Sequence, residues 1–124
     1  MGCDIHLHVE RRANGTWTEI ESERYFYDGR NYGLFFVLAG VPYDDLDDIA
    51  AARGLPADMS ETVAEHWEQW SPNGHSPSWL PVPALIMQDW GPVEDRWWVA
   101  ALEHLKDLAG EDGTAMRIVF WFDK

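Results

Sequence analysis

The sequence predicts an α+β fold: a small antiparallel sheet, made of an N-terminal hairpin and a C-terminal strand, packed against four to five helices. Three observations predict it. Residues 3–10 alternate apolar and polar and are followed by Asn14-Gly15, the strongest short hairpin signal. The middle of the chain carries apolar stripes at helical spacing, and residues 115–122 form a last apolar run. A hairpin alone is marginal in water, so that last strand is expected to join it.

Each element has a local reason. Cys3, Ile5, Leu7 and Val9 share one side of the first strand, with Asp4, His6, His8 and Glu10 on the other, the period of a half-buried strand. Residues 16–23 form its partner. A helix over 31–39 is stopped by Gly40 and Pro42, and a short one over 44–53 has acids in its first turn and Gly54 after its end. Asp58-Met59-Ser60-Glu61 offers a capping box into a helix ending at Trp70. Residues 71–83 hold Pro72, Gly74, Pro77, Pro81 and Pro83 and read as loop. Pro83 suits the start of a helix over 83–90, and 93–108 carries Trp97, Trp98, Ala101, Leu102, Leu105 and Leu108 on one stripe. No repeat or linker divides the 124 residues, so one domain over 1–124 is expected.

Composition narrows the partners. Nine Lys+Arg against 22 Asp+Glu give a formal net charge of -13, while 46% hydrophobic residues and eight Trp are enough to bury a core. Non-specific binding to nucleic acid or to an anionic membrane depends on basic residues and is not expected. Cys3 is the only cysteine, which excludes an internal disulfide and a Cys-only zinc site. There is no run long and apolar enough for a membrane span and no signal-peptide pattern, and His6 stands where a myristoylation motif needs Ser or Thr. A reducing host cytoplasm is the expected setting.

The hairpin carries the clearest chemistry. With a two-residue turn, Arg12 faces Trp17, Glu10 faces Glu19, Val9 faces Ile20, His8 faces Glu21 and His6 faces Glu23. A face so acidic calls for a protonated His, a nearby Arg or a bound cation. His6 and His8 lie about 6.6 Å apart along the strand and are able to share an ion, whereas Asp4 and Glu10, about 20 Å apart, are not. A feasible set is His6 with Asp4 or His8, completed from elsewhere by a residue such as His75 in the Pro-rich loop, with zinc or manganese as the metal. The competing reading is a strand that is His-rich and faces solvent.

Met1-Gly2-Cys3-Asp4-Ile5-His6 with Glu10, Arg30-Asn31-Tyr32, Leu38-Ala39-Gly40-Val41, Arg53-Gly54-Leu55-Pro56, His75-Ser76-Pro77-Ser78-Trp79-Leu80 and the ending Arg117-Ile118-Val119-Phe120-Trp121-Phe122-Asp123 resemble a family of small phage and prophage proteins. The resemblance runs over nearly the whole chain and implies a phage or prophage origin. It implies little chemistry. The family pattern often has an aromatic where this sequence has His8, which ranks His8 behind Asp4, His6, Glu10 and His75.

Other positions have plainer readings beside functional ones. Arg30 and Tyr32 suit an anionic substrate, yet Asn31 as a helix cap beside an Arg paired to the hairpin explains them as well. Asp44, Asp45, Asp47 and Asp48 lack calcium-loop spacing. His66 and His104 beside Trp67 and Leu105 read as structural, and Cys3 as a small buried hydrophobe.

Two functions are compatible with this set, and whether the protein is an enzyme is left open between them. In the first, a phage-encoded metal-binding protein holds a divalent ion on Asp4, His6, His8 and His75 and hydrolyses a phosphoester or nucleotide. Glu10, Glu23 and His75 would move protons, and Arg30, Tyr32, Ser76 and Ser78 would hold the substrate. In the second, a non-catalytic acidic protein binds and inhibits a host defence or nucleic-acid-handling protein, or sequesters an anionic nucleotide signal.

Overall fold

The alternating N-terminal segment and the Asn14-Gly15 turn make the expected hairpin: strand β1 (Asp4–Ala13) and strand β2 (Thr16–Glu21), joined where Asn14 and Gly15 both take positive φ, 54° and 77°. The computed structural model describes residues 4–21, 38, 53–70, 74–88, 90, 95–109 and 115–123. Helix α1 (Glu61–Trp70), strand β3 (Gly74–Pro81), helix α2 (Val82–Met87), helix α3 (Arg96–Ala109) and strand β4 (Met116–Asp123) follow. The four strands form one antiparallel sheet in the order β2-β1-β4-β3. The last strand pairs with the first along its length, from Asp4 opposite Asp123 to Arg11 opposite Met116. The fold is α+β. Among the described residues it has three helices, not four to five; the helices expected over 31–39 and 44–53 lie outside them, except for Leu38, which is helical and buried.

Two expectations about pairing are corrected. Arg12 faces Trp17 and Glu10 faces Glu19 as the turn dictates, but Val9 then faces Glu21. Ile20 is the extra residue of a bulge, so the expected pairs Val9–Ile20 and His8–Glu21 do not form. The bulge leaves Ile20 packed on the apolar side of the sheet, against the cluster that holds Leu7 and Val9. The second correction is β3, which occupies the stretch read as loop. It is an edge strand, where a proline removes no ladder bond that a neighbour needs, and Pro77 falls inside the irregularity between His75 and Ser78. The segment before α1 covers that irregularity: the Gly54 amide donates to Pro77 O at 2.8 Å and the Arg53 amide to Ser78 Oγ at 3.0 Å.

The sheet is buried on both faces, although β1 has the pattern of a half-buried strand. On one face Ile5, Leu7 and Val9 join Met116, Ile118, Phe120 and Phe122 beneath α2 and α3. Helix α3 contributes Trp98, Ala101, Leu102 and Leu105 at helical spacing, while Trp97, expected on that stripe, is 68% exposed. The α3 N-terminus is closed by Asp95, whose Oδ1 accepts from the amides of Trp97 and Trp98, each at 3.0 Å. On the other face Val119 and Trp121 of β4 pack against Val63 of α1, with Leu55, Met59, Trp67 and Trp79 around them. No described helix is long and apolar enough to cross a membrane.

Ser60 caps α1 with its hydroxyl, which accepts from the Val63 amide at 3.3 Å; the expected box from Asp58 to Glu61 is not the one used. Gly74 is where β3 passes closest to this helix. A Cβ built there would sit 2.8 Å from Trp67 Cζ3 and 3.3 Å from Trp121 Cδ1, both on rigid rings. Gly74→Ala is therefore expected to cost about 1–3 kcal/mol, measured as a lower denaturation midpoint with an unchanged denaturant slope.

Candidate functional site

The polar side of β1 is roofed by α1, and the side chains that the competing reading places in solvent are enclosed. His6, His8 and Glu10 are 6%, 3% and 0% exposed. Each acid that the hairpin sets against another finds its own partner. Glu10 Oε1 accepts from Arg117 Nε at 2.7 Å, and its Oε2 accepts from the Ser60 amide at 2.7 Å. Glu10 thus takes the place that a glutamate inside α1 would hold in a capping box. Glu19 turns to His8 instead, its Oε2 accepting from Nδ1. Glu10 is thus paired with a buried arginine from β4, and Glu19 with a histidine of β1.

Arg117 extends this network. Its Nη1 donates to Asp58 Oδ1 at 2.9 Å, and Asp58 Oδ2 accepts from Trp17 Nε1 at 3.1 Å. Its guanidinium lies 3.8 Å from the Trp17 ring centre and 5.8 Å from that of Trp79. The hydrogen bond from Arg117, aided by its charge, holds the Asp58 carboxyl below the usual carboxylate range against the opposing effect of desolvation.

Three imidazoles meet on the same face. His8 Nε2 lies 2.6 Å from Nδ1 of His66 on α1, and the two ring centres are 4.7 Å apart. The His6 ring is 5.8 Å from that of His66. Trp121 floors all three, with ring centres 6.2 Å from His6, 5.2 Å from His8 and 5.3 Å from His66. The Glu19 carboxylate only accepts, so His8 donates from Nδ1; the Nε2 of neutral His8 then accepts from His66 Nδ1, which leaves the lone pair of neutral His66 on its Nε2. Such a chain, with both rings neutral, fixes the tautomer of each. Two cavities border the network. One, of about 610 Å³, lies between β2 and the start of α1 and reaches Thr18, Glu19 and Asp58; the other, of about 650 Å³, is lined by Trp17, Trp79, Arg12 and Arg117.

The expected site residues fare differently. His6 and His8 both lie against His66 of α1. Asp4 pairs with Asp123, and His75 pairs with Phe122, as does Ile5. His75 therefore stands in the row of Ile5 and two strands away from it, about 9.6 Å at ordinary strand spacing. The side chains of Asp4, His75 and Ser76 lie outside the described residues, as do Glu23, Arg30 and Tyr32 entirely. Ser78 is buried, its hydroxyl receiving the Arg53 amide. As they stand, no three His, Cys, Asp or Glu side chains among the described residues are arranged to hold a metal ion.

Sequence spacing alone does not mark His66, Asp58 or Arg117 as site residues. A signal for His66 existed: it follows Val63 by three positions and precedes Trp67, so it lies on the apolar stripe of α1. Arg117, inside the strand Met116–Asp123, was a second signal, an arginine within an otherwise apolar run. No family model, curated protein or solved structure matches the chain.

Removing one member of a buried ion pair leaves the other charge stranded. Glu10→Gln is expected to cost about 3–5 kcal/mol, and Glu10→Gln with Arg117→Met to cost less than the sum of the two single changes, both read from denaturant unfolding. Asp58 predicts an acid dependence. Its native pKa is lowered, so its contribution is present above its ordinary value of 3.8 and is lost as the pH falls from there through the native value. Melting temperature just below pH 3.8 should fall more steeply in the wild type than in Asp58→Asn.

Proposed function

We propose that this protein binds a divalent metal ion, zinc or manganese, through His8 and His66 with His6 as a further ligand, and that the ion serves hydrolysis of a phosphoester or nucleotide in the host cytoplasm. The observation that supports this reading most is the convergence of three imidazoles from β1 and α1, with the Glu19 carboxylate on the far nitrogen of His8. A carboxylate behind a ligating histidine is a recurring way to orient the ring and strengthen it as a donor. Two nitrogens about 2.0 Å from a tetrahedral ion stand about 3.3 Å apart. His8 and His66, at 2.6 Å, share a proton instead, so with an ion bound His66 would carry its proton on Nε2 and the pair would open by about 0.7 Å. A bound ion would supply a water of lowered pKa. The ligand set differs from the one the sequence suggested in using His66 where His75 was expected.

A second reading rests on a different surface. Met87, Trp97 and Val99 are 86%, 68% and 48% exposed at the end of α2 and the start of α3, on a chain of net charge -13. Large exposed apolar side chains on an acidic protein suit a non-catalytic binder of a host defence or nucleic-acid-handling protein. The resemblance to phage proteins is compatible with either reading.

Equilibrium dialysis against zinc and manganese, with elemental analysis, tests the first reading. About one ion per chain is expected in the wild type, with loss in His66→Ala and in His8→Ala and retention in His104→Ala on the exposed face of α3. A wild type that takes up no stoichiometric ion, or a His66→Ala variant that takes up as much as the wild type, overturns it.

A further inference from the structure

The cavity of about 650 Å³ beside the ion network has a composition unlike the rest of this acidic molecule. Its volume is that of an ordinary small-molecule site. Trp17, Trp79, Leu55, Pro56 and Met116 supply apolar walls, and Arg12, Asp58 and Arg117 the polar lining. Among the described residues, Arg12 and Arg117 are in the lining, Arg12 with its guanidinium 5.4 Å from the Trp17 ring centre, and Arg53 lies over the lining residue Trp79, its guanidinium 5.0 Å from that ring centre. Glu10 and Asp58 more than offset Arg117, and with the exposed Arg12 and Arg53 these five groups keep one net positive charge. Arg117 itself is 4% exposed, and its Nη2 is buried with no hydrogen-bond partner among the described residues. An unmet guanidinium donor in so enclosed a place is costly unless an acceptor reaches it.

We infer that this cavity binds a small anionic ligand that carries a planar ring, of the nucleoside monophosphate class. The ring lies against the indole walls, where stacking is tolerant of the ring's identity. The phosphate meets the Arg12 and Arg53 forks, whose planar geometry matches two phosphate oxygens. A ligand oxygen at Arg117 Nη2 supplies the missing acceptor once the Trp17 ring shifts, and in the described structure one hydrogen bond, to Asp58, ties the indole nitrogen of that ring. None of these side chains belongs to the histidine cluster, so the inference stands apart from metal binding.

Calorimetric titration with AMP, GMP, adenosine and inorganic phosphate, in the presence of a chelator, tests it. AMP or GMP is expected to bind saturably and at least about tenfold more tightly than adenosine or phosphate, a coupling of about 1.4 kcal/mol. Arg12→Ala with Arg53→Ala, both exposed positions, should remove at least that factor for the nucleotide and leave adenosine unchanged, with an unaltered melting temperature. Trp79→Ala should weaken nucleotide and adenosine alike. Absence of saturable nucleotide binding into the millimolar range overturns the inference. So does affinity unchanged in the double arginine variant, or phosphate binding as tightly as AMP, which would reduce the site to an anion patch.

Discussion

The buried pair between Glu10 and Arg117 holds the two halves of the molecule in register. It crosses from β1 to β4 at 2.7 Å, and the second Glu10 oxygen takes the amide of Ser60, the cap of α1. Burying two charges is expensive unless further hydrogen bonds satisfy them. Here Ser60, Asp58 and the Trp17 face provide much of that satisfaction, leaving Arg117 Nη2 unmet among the described residues, and they come from the segment before α1 and from β2. The pair therefore forms only when hairpin, final strand and α1 are all in place. It acts less as a source of stability than as a specifier of one arrangement, the position of α1 over the sheet.

That position determines what the histidines are. Without α1 the His6 and His8 side of β1 would be a wet, acidic strand face. With α1 in place it becomes the floor of a small second core beneath Val63, His66 and Trp67, closed from below by Val119 and Trp121. In such surroundings an imidazole keeps a defined tautomer and a defined neighbour, because few polar groups compete for it. The chain from Glu19 through His8 to His66 is thus a product of burial as much as of sequence. The same network borders both cavities, so among the described residues the buried polar groups gather on the face roofed by α1, while the face under α2 and α3 is apolar packing.

Charge follows the same division. A net charge of -13 suggests a uniformly negative surface, but the structure draws Arg12, Arg53 and Arg117 together around two indoles. The distribution matters more than the sum, since a ligand in a pocket responds to charges within a Debye length and less to the rest.

Several features were legible from residues alone. The hairpin and its turn followed from alternation and Asn14-Gly15, the inner face of α3 from its apolar spacing, and the partnership of the last strand with the first from the weakness of a lone hairpin. These are local rules, or nearly so, and a one-dimensional pattern carries them. The edge strand in a Pro-rich stretch was not legible, because proline is tolerated there only by virtue of what lies beside it. Nor was the bulge at Ile20, which the packing of its side chain selects. The pairing of Glu10 with Arg117 and of His8 with His66 joins residues 107 and 58 positions apart. The sequence by itself determined that an acidic, histidine-bearing strand would exist and that it would need a counter-charge. Only the tertiary structure decided that the counter-charge is Arg117 and that the histidine partner is His66, because contacts at such separation depend on how the sheet and α1 pack, which no local spacing encodes.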